Sequence, residues 1–338
     1  MLKGKRFKLT FLVKRLIVIC LPIFFCFILI FYSLGISLPS LRSPIRFYFT
    51  HNRDDLKLVL IRAIKKSCKS IHLRTYALTD LSILSLLKQR AQDGIEVHLY
   101  YHKKSSPKLE RLEGPCFHLH PVQGKGLMHE KIWIIDECQS FLGSTNITYS
   151  SLKIHENGMI GIYSPQFARS LIHCQNKEIV QQINGQTIHY FPFPNPTALD
   201  NLLTILDRAQ KRVDLFLFTF THSRIVQKLI DLHERGVHIH LTIDAYTARS
   251  SSKRALTMLV QAGIPVYLSQ GIPLFHHKWA LIDQHTLVFG SANWTRAAFT
   301  KNRDFLLVLY PLKGRQIKCL HHVIHKIRRY NNGLFFGS

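Results

Sequence analysis

Read from its amino terminus, the chain changes hydropathic period several times. Residues 16–32 run 17 positions without a charge, and thirteen of them are Leu, Ile, Val or Phe. Each such residue is worth roughly −0.3 to −0.6 kcal/mol in a bilayer, so together they outweigh the single Pro22. Extended to residue 38, the run reaches a spanning length of about 20 residues. Beyond it the pattern alternates between periods of 3.6 and 2. Residues 55–70 are spaced as a helix, 71–77 as a strand, 81–93 as a helix closed by Gly94, and 95–101 as a strand. The same order returns at 198–211, 213–220, 223–235 with Gly236 behind it, and 237–243. Glycine after a helix supplies the left-handed residue that ends it, so Gly94 and Gly236 mark equivalent corners. Strands alternating with such helices predict an α/β layered architecture.

The repetition extends to individual residues. Residues 128–148 read MHEKIWIIDECQSFLGSTNIT and residues 276–295 read HHKWALIDQHTLVFGSANWT. His129, Lys131, Asp136, Gly143, Ser144, Asn146 and Thr148 each have an identical residue 147 positions on: His276, Lys278, Asp283, Gly290, Ser291, Asn293 and Thr295. Seven coincidences at one offset mark an internal repeat. The expected organisation is a basic segment 1–15, an apolar segment 16–38, one α/β half at 44–184 and a second at 187–330. The boundary is placed where Gly185 and polar neighbours interrupt the pattern.

Charge narrows the partners. The chain of 338 residues has 45 Lys+Arg against 20 Asp+Glu, a formal net charge of +25. Its 22 Phe and 46% hydrophobic residues exclude a disordered tail protein. Such a balance favours an anionic partner: nucleic acid, an acidic lipid surface or a phosphate-bearing substrate. Six of the basic residues precede the apolar run, which leaves +19 beyond it. A basic flank before an apolar span describes a signal anchor or a cleaved signal peptide. Either one leaves the basic end in the cytoplasm and carries the rest across the membrane. Cys20 and Cys26 lie in the span. Cys68, Cys116, Cys138, Cys174 and Cys319 show no CxxC spacing, so neither a disulfide framework nor a zinc site is expected. His118, His120, His238, His240, His321, His322 and His325 have no Cys or carboxylate at metal-ligand spacing along the chain, and read as surface or packing residues.

On a strand, the His and Lys of HxK share one face, so Lys131 stands beside His129 and Lys278 beside His276. His277 points to the opposite face. If the halves pack about a pseudo-twofold axis, two His, two Lys and two Asn meet. That set suits a phosphodiester. Lys and Asn neutralise the non-bridging oxygens, one imidazole attacks phosphorus and the other protonates the leaving oxygen. No metal or other cofactor is required. Asn146 and Asn293 also begin N-glycosylation sequons, which are accidental if these residues face the pocket. The basic loops 103–108 and 247–254 follow equivalent strands and are expected to rim the site. Leu127, Met128, Leu274 and Phe275 flank the motifs as candidate acyl-chain contacts or as core.

HxKxxxxD followed by GSxN, present twice and intact, resembles the phospholipase D superfamily over residues 44–310. The resemblance implies two similar α/β halves, each a mixed sheet flanked by helices, sharing one active site. It implies a phosphohistidine on His129, with His276 as general acid, and an orienting rather than proton-donating role for Asp136 and Asp283. Ser144, Asn146, Ser291 and Asn293 become substrate-binding residues. Family members carry a Glu about ten residues past GSxN that fixes the His tautomer; Glu156 fits that place in the first half and Asp304 in the second. The favoured activity is metal-independent hydrolysis of phospholipid headgroup esters, from a phosphatidylcholine-type substrate to phosphatidate. The alternatives are a nuclease for single-stranded DNA or RNA, a cardiolipin synthase-type phosphatidyltransferase and a noncatalytic phosphate binder. The expected partner is a phospholipid membrane, with the catalytic part extracytoplasmic; oligomeric state is left open.

Overall fold

The computed structural model describes residues 18, 20–22, 24, 36–106, 109–124, 126–174, 176–331 and 333–335. It divides into two units, residues 1–37 and 38–338. In the first unit, residues 18, 20–22 and 24 are helical and exposed. No helix among the described residues is long and apolar enough to cross a membrane. Most of the expected 16–38 span, and all of the basic 1–15 segment, lie outside the described residues.

The second unit is built on two sheets. Strands β1 (Ile45–Phe49), β2 (Ser70–Thr75), β3 (Glu96–His102), β4 (Phe117–Val122), β5 (Lys131–Ile135), β6 (Gln139–Gly143) and β7 (Gly158–Tyr163) form the first. The second comprises β8 (Ile179–Ile183), β9 (Gln186–Pro192), β10 (Arg212–Leu217), β11 (His238–Ile243), β12 (Val266–Leu268), β13 (Lys278–Ile282), β14 (Thr286–Gly290), β15 (Phe305–Tyr310) and β16 (Gly333–Leu334). Their orders are β1-β7-β6-β5-β2-β3-β4 and β16-β12-β11-β10-β13-β14-β15-β9-β8. Without β16 and β8 at its edges, the second order repeats the first strand for strand. In each, three strands run parallel (β2-β3-β4, β10-β11-β12) and the others antiparallel. This is the mixed α/β duplication expected.

Local chemistry explains the element ends. Asp55 and Asp80 accept the Leu58 and Ile83 N–H groups and start the helices Leu56–Lys65 and Leu81–Gln92. Gly94 and Gly236 have φ of 83° and 87°, the left-handed cap the sequence implied. The expected boundary at 184–187 is corrected. Asn184 and Gly185 take φ of 52° and 72° and close the β8–β9 hairpin, so both strands belong to the second sheet. Asn-Gly reads as a linker by composition, but it is also the preferred two-residue hairpin turn.

The sheets share a buried layer in which Phe49, Ile132, Leu142 and Ile160 meet Phe216, Trp279, Phe289 and Leu307. Trp279 lies 4.1 Å from Phe216 and 5.5 Å from Phe49, ring centre to ring centre. The helix Gly314–Tyr330 buries Leu320, Val323, Ile324 and Ile327 in this region, one stripe of helical spacing. Apolar contact across this layer holds the equivalent strand ends side by side.

Candidate active site

Each histidine enters on a segment hydrogen-bonded to the other half. The N–H of His129 donates to the Arg303 carbonyl (2.7 Å) and the N–H of Arg303 to the Leu127 carbonyl (2.8 Å). In mirror fashion, His276 donates to the Glu156 carbonyl (2.9 Å) and Glu156 to that of Leu274 (2.9 Å). Lys131 and Lys278 then open β5 and β13, and each ammonium donates to the carbonyl of its own motif histidine, at 2.6 and 3.0 Å. Lys131 sits 5.5 Å above the ring of Tyr76 and Lys278 5.0 Å above that of Phe218. The same two rings meet His129 and His276 edge-on. An aromatic face attracts a cation, so these rings hold the ammonium groups where water is excluded.

Behind each imidazole stands a group from the opposite half. His129 Nδ1 donates to Asp304 Oδ1 (2.8 Å), and His276 Nδ1 to Asn157 Oδ1 (3.1 Å). Ser291 Oγ donates to the same Asp304 oxygen (2.7 Å) and Ser144 Oγ to the Asn157 oxygen (2.8 Å). Each serine accepts a backbone N–H in return, from Phe305 and Gly158. Gly143 and Gly290 make the approach possible, because a Cβ there would lie 2.4 Å from the Gly158 carbonyl oxygen and 2.2 Å from that of Phe305. Both Nδ1 atoms are thereby committed as donors, which leaves each Nε2 for chemistry.

Several expectations are corrected by this arrangement. Ser144 and Ser291 are buried and spent on the groups behind the histidines, so they do not serve as substrate-binding residues. Glu156 does not orient a motif histidine; its carboxylate lies 3.3 Å from His51 Nε2. Asn157 takes that place, and nothing in the motif reading named it. The signal was in the repeat, since Asn157 and Asp304 share the 147-residue offset of the other motif pairs. Asp136 and Asp283 stand outside the centre, at the far ends of β5 and β13. Five residues of strand carry each about 16 Å from its motif lysine. Asp136 accepts the N–H groups of Cys68, Lys69 and Ser70. Asp283 accepts those of Gln210, Lys211 and Arg212. Each sits at positive φ and ties down the start of the neighbouring strand. Tyr76 and Phe218 also went unread, because an aromatic at a strand end carries no distinctive spacing.

Asn146 and Asn293 lie in the turns that follow β6 and β14. Their side-chain carbonyl oxygens are buried and lack a hydrogen-bond partner among the described residues. His277 lies on the opposite strand face, fully buried, with Nε2 3.2 Å from His51 Nδ1. Met128 and Phe275 belong to the core, whereas Leu127 is exposed and lines a cavity of about 650 Å³ with His102, Lys103, Lys104, Lys301 and Asn302. On the wall of this cavity His102 stacks on Tyr76, the ring that packs against the His129 imidazole. Of the loop 103–108, residues 107 and 108 lie outside the described residues. In the loop 247–254, Arg249, Lys253 and Arg254 are exposed.

Burial dominates the electrostatics. It pushes His129 below its ordinary value against the opposing pull of Asp304. Burial, reinforced by the charges of Lys278, Lys131 and His129, pushes His276 well below. The bonds of His129 to Asp304 and of His276 to Asn157 bring each motif set against the opposite half. Burial lowers Lys131 from 10.5 to about 7, and burial with the neighbouring Lys131 lowers Lys278 well below its ordinary value. Burial would raise the Asp304 carboxyl, but His129 and Lys131 reverse this and hold it below the usual range. The centre is thus short of negative charge, and a bound anion would restore the protonated lysines.

Comparison with known proteins agrees with this architecture. The family described as "Cardiolipin synthase, PLD-like domain" matches residues 60–182 and 202–321, one stretch in each half. The mitochondrial cardiolipin hydrolase of Chlamydomonas reinhardtii is 35% identical over 114 residues, 34% of this chain and 51% of the relative. That of Homo sapiens is 36% identical over 113 residues, 33% and 44% of the two chains. The chain therefore spans about half the length of the curated relatives it matches. Phosphatidylserine synthase from Haemophilus influenzae Rd KW20 shares the fold across 89% of both chains, with a TM-score of 0.71 and 13% identity. With the doubled motif, the duplicated sheets and a family match in both halves, the chain belongs to the phospholipase D superfamily.

Proposed function

We propose that the chain hydrolyses a phosphodiester of an anionic membrane phospholipid, of cardiolipin type, through a phosphohistidine on His129. The observation that carries the assignment of roles is the unequal pair behind the histidines: a carboxylate at His129 and an amide at His276. When Nε2 of His129 bonds to phosphorus, the ring becomes cationic, and only Asp304 offers a negative charge to stabilise it. His276, backed by a neutral amide, is the weaker base and the readier proton donor. In the first step the His129–phosphorus bond forms, the bond to the leaving alkoxide breaks and His276 gives that oxygen its proton. In the second, His276 takes a proton from water, whose oxygen displaces His129 and releases phosphatidate. Lys131, Lys278, Asn146 and Asn293 hold the non-bridging oxygens throughout.

The substrate class rests on what surrounds the centre. Lys103, Lys104 and Lys301 make the adjoining cavity basic, which favours an anionic headgroup over the zwitterionic phosphatidylcholine first expected. Exposed apolar side chains cluster in the loops that carry the site: Leu127 before His129, Tyr149 after Asn146 and Ile272 before His276. Such a rim suits a lipid surface. The names of the relatives point the same way. The apolar run at 16–38 would hold the enzyme at its membrane, with the two halves, placed on either side of residue 179, beyond it.

The test offers the purified full chain, in EDTA, vesicles containing cardiolipin, vesicles of phosphatidylcholine alone, and single-stranded RNA and DNA. Phosphatidate is expected from cardiolipin first, and from neither His129→Ala nor His276→Ala. Cleavage of nucleic acid without lipid turnover overturns the substrate class. Full turnover in both histidine variants overturns the site.

A further inference from the structure

At the end of the first sheet away from the motif lysines, β3 and β4 start side by side in parallel register. His98 faces His118, and two residues earlier Glu96 stands across from Cys116, which lies in the turn leading into β4. Glu96, His98 and His118 share one face of the sheet. The ligand atoms of Glu96, His98 and His118 all lie within 4.8 Å of one another. His118 Nε2 is 2.8 Å from Glu96 Oε2. The Cys116 thiol is free. His72 and His120 continue the row: His72 stacks on His98 at 4.7 Å, and His120 Nε2 lies 3.5 Å from His98 Nδ1.

We propose that Glu96, His98, Cys116 and His118 bind one divalent transition-metal ion of the zinc type. Two imidazoles, a thiolate and a carboxylate are a zinc donor set; magnesium and calcium take oxygen ligands and would leave three of the four groups unused. Metal–ligand bonds of about 2.0–2.3 Å place tetrahedral donors roughly 3.3–3.8 Å apart. Rotation of exposed or half-exposed side chains closes the observed spacing to that range. Histidine pairing alone does not explain the cluster. At the equivalent place in the second half, His238 and His240 face Gly263 and Pro265 by the β11–β12 register, and no ligand set forms. The expectation that His118 lacks a carboxylate companion is corrected here, because Glu96 reaches it through register between strands rather than through spacing along the chain. β4 is the edge strand of its sheet. An ion bridging it to β3 would fasten that edge and, through it, the segment leading to Leu127 and the basic cavity.

The site is tested on the full chain, purified without a polyhistidine tag, stripped of metal and titrated with Zn²⁺ and with Co²⁺ as a spectroscopic substitute. One equivalent is expected to bind, raising the unfolding midpoint by several degrees, with Co²⁺ showing tetrahedral bands and a thiolate charge-transfer band. The double variant His98→Ala/His118→Ala should weaken binding about 100-fold or more, and Cys116→Ser should remove the charge-transfer band. Glu96→Gln, which keeps the shape of the cluster, serves if the double variant does not fold, and should weaken binding about 10-fold or more. The proposal is overturned if micromolar Zn²⁺ does not bind, or if either of these variants binds it like the parent chain. Retention of the charge-transfer band in Cys116→Ser overturns the assignment of the thiol.

Discussion

Replacing Asp304 by Asn removes one negative charge from behind His129 and little else. The amide is the same size, its oxygen can still accept the Nδ1–H that Asp304 now accepts at 2.8 Å, and Ser291 can still donate to it. What disappears is the attraction between the carboxylate and the positive ring of the phosphohistidine. For unit charges about 4 Å apart at an effective dielectric of about 20, that attraction is about 4 kcal/mol. The amide dipole recovers about 1 kcal/mol of it through the retained hydrogen bond. The remaining ~3 kcal/mol corresponds to roughly a 100-fold fall in kcat. A soluble chromogenic phosphodiester is the right substrate, since it reports the chemical step without membrane binding.

The pH profile supplies a second reading of the same substitution. Asp304 opposes the downward shift that burial imposes on His129. Without it the ring protonates at lower pH, so the acid limb of the profile, where the nucleophile is lost to protonation, moves downward. The converse change, Asn157→Asp, puts a charge behind His276, raises its affinity for a proton and moves the alkaline limb upward. A folded Asp304→Asn enzyme with kcat within threefold of the parent, or with an acid limb displaced upward, would refute the proposed division of labour.

Other substitutions separate stability from chemistry. Lys131→Met should abolish turnover yet stabilise the unliganded chain by on the order of 2–4 kcal/mol at neutral pH, because an ammonium lowered from 10.5 to about 7 is costly to bury. The unfolded chain holds that proton between pH 7 and 10.5, so the gain is full below about pH 7 and gone near pH 10.5; melting curves at pH 6 and pH 10 check this. Asp136→Ala deprives three N–H groups at the start of β2 of their acceptor. It should cost about 2 kcal/mol by denaturant titration while kcat per folded molecule stays within twofold. Lys104→Glu with Lys301→Glu should raise KM on anionic vesicles about tenfold or more and leave the soluble substrate untouched, at about 1 kcal/mol per cation near an acidic surface. Equal effects on both substrates would remove the basic cavity from lipid recognition.

Much of the centre was legible because the repeat wrote it twice. His129 and His276, with their lysines, were visible from spacing alone, and alternation of period gave the layered fold. What escaped was whatever depends on contacts between strands distant in sequence. The group behind a histidine comes from the other half, so Glu156 looked suitable from its distance past GSxN. The backbone instead turns Glu156 toward His51 and presents Asn157. Ser144 and Ser291 looked like substrate ligands because they are polar and sit in the motif; tight packing over Gly143 and Gly290 buries them as supports. The Glu96–His98–His118 cluster exists only through the register of two parallel strands. A boundary placed at Gly185 fails because the Asn-Gly dipeptide closes the β8–β9 hairpin, a pairing that composition does not show.

The unequal groups behind the two histidines make sense as charge accounting on the proposed mechanism. With a phosphodiester bound, Lys131 and Lys278 contribute two positive charges, Asp304 one negative and the substrate one negative. With the proton that His276 carries and passes on, the buried centre then holds a single positive charge. A carboxylate in place of Asn157 would hold that proton on His276 more tightly, against its role as donor. The lysines that burial has starved of protons regain them when the anion arrives. The crosswise attachment matters for the same reason. Asp304 steadies His129 only while the halves are docked, so a separated half would hold a histidine with neither its partner group nor its counter-charge. Each motif stands twice in the chain, and on the proposed mechanism a single Asp–Asn difference between the copies turns a nearly symmetric pair into one nucleophile and one proton donor.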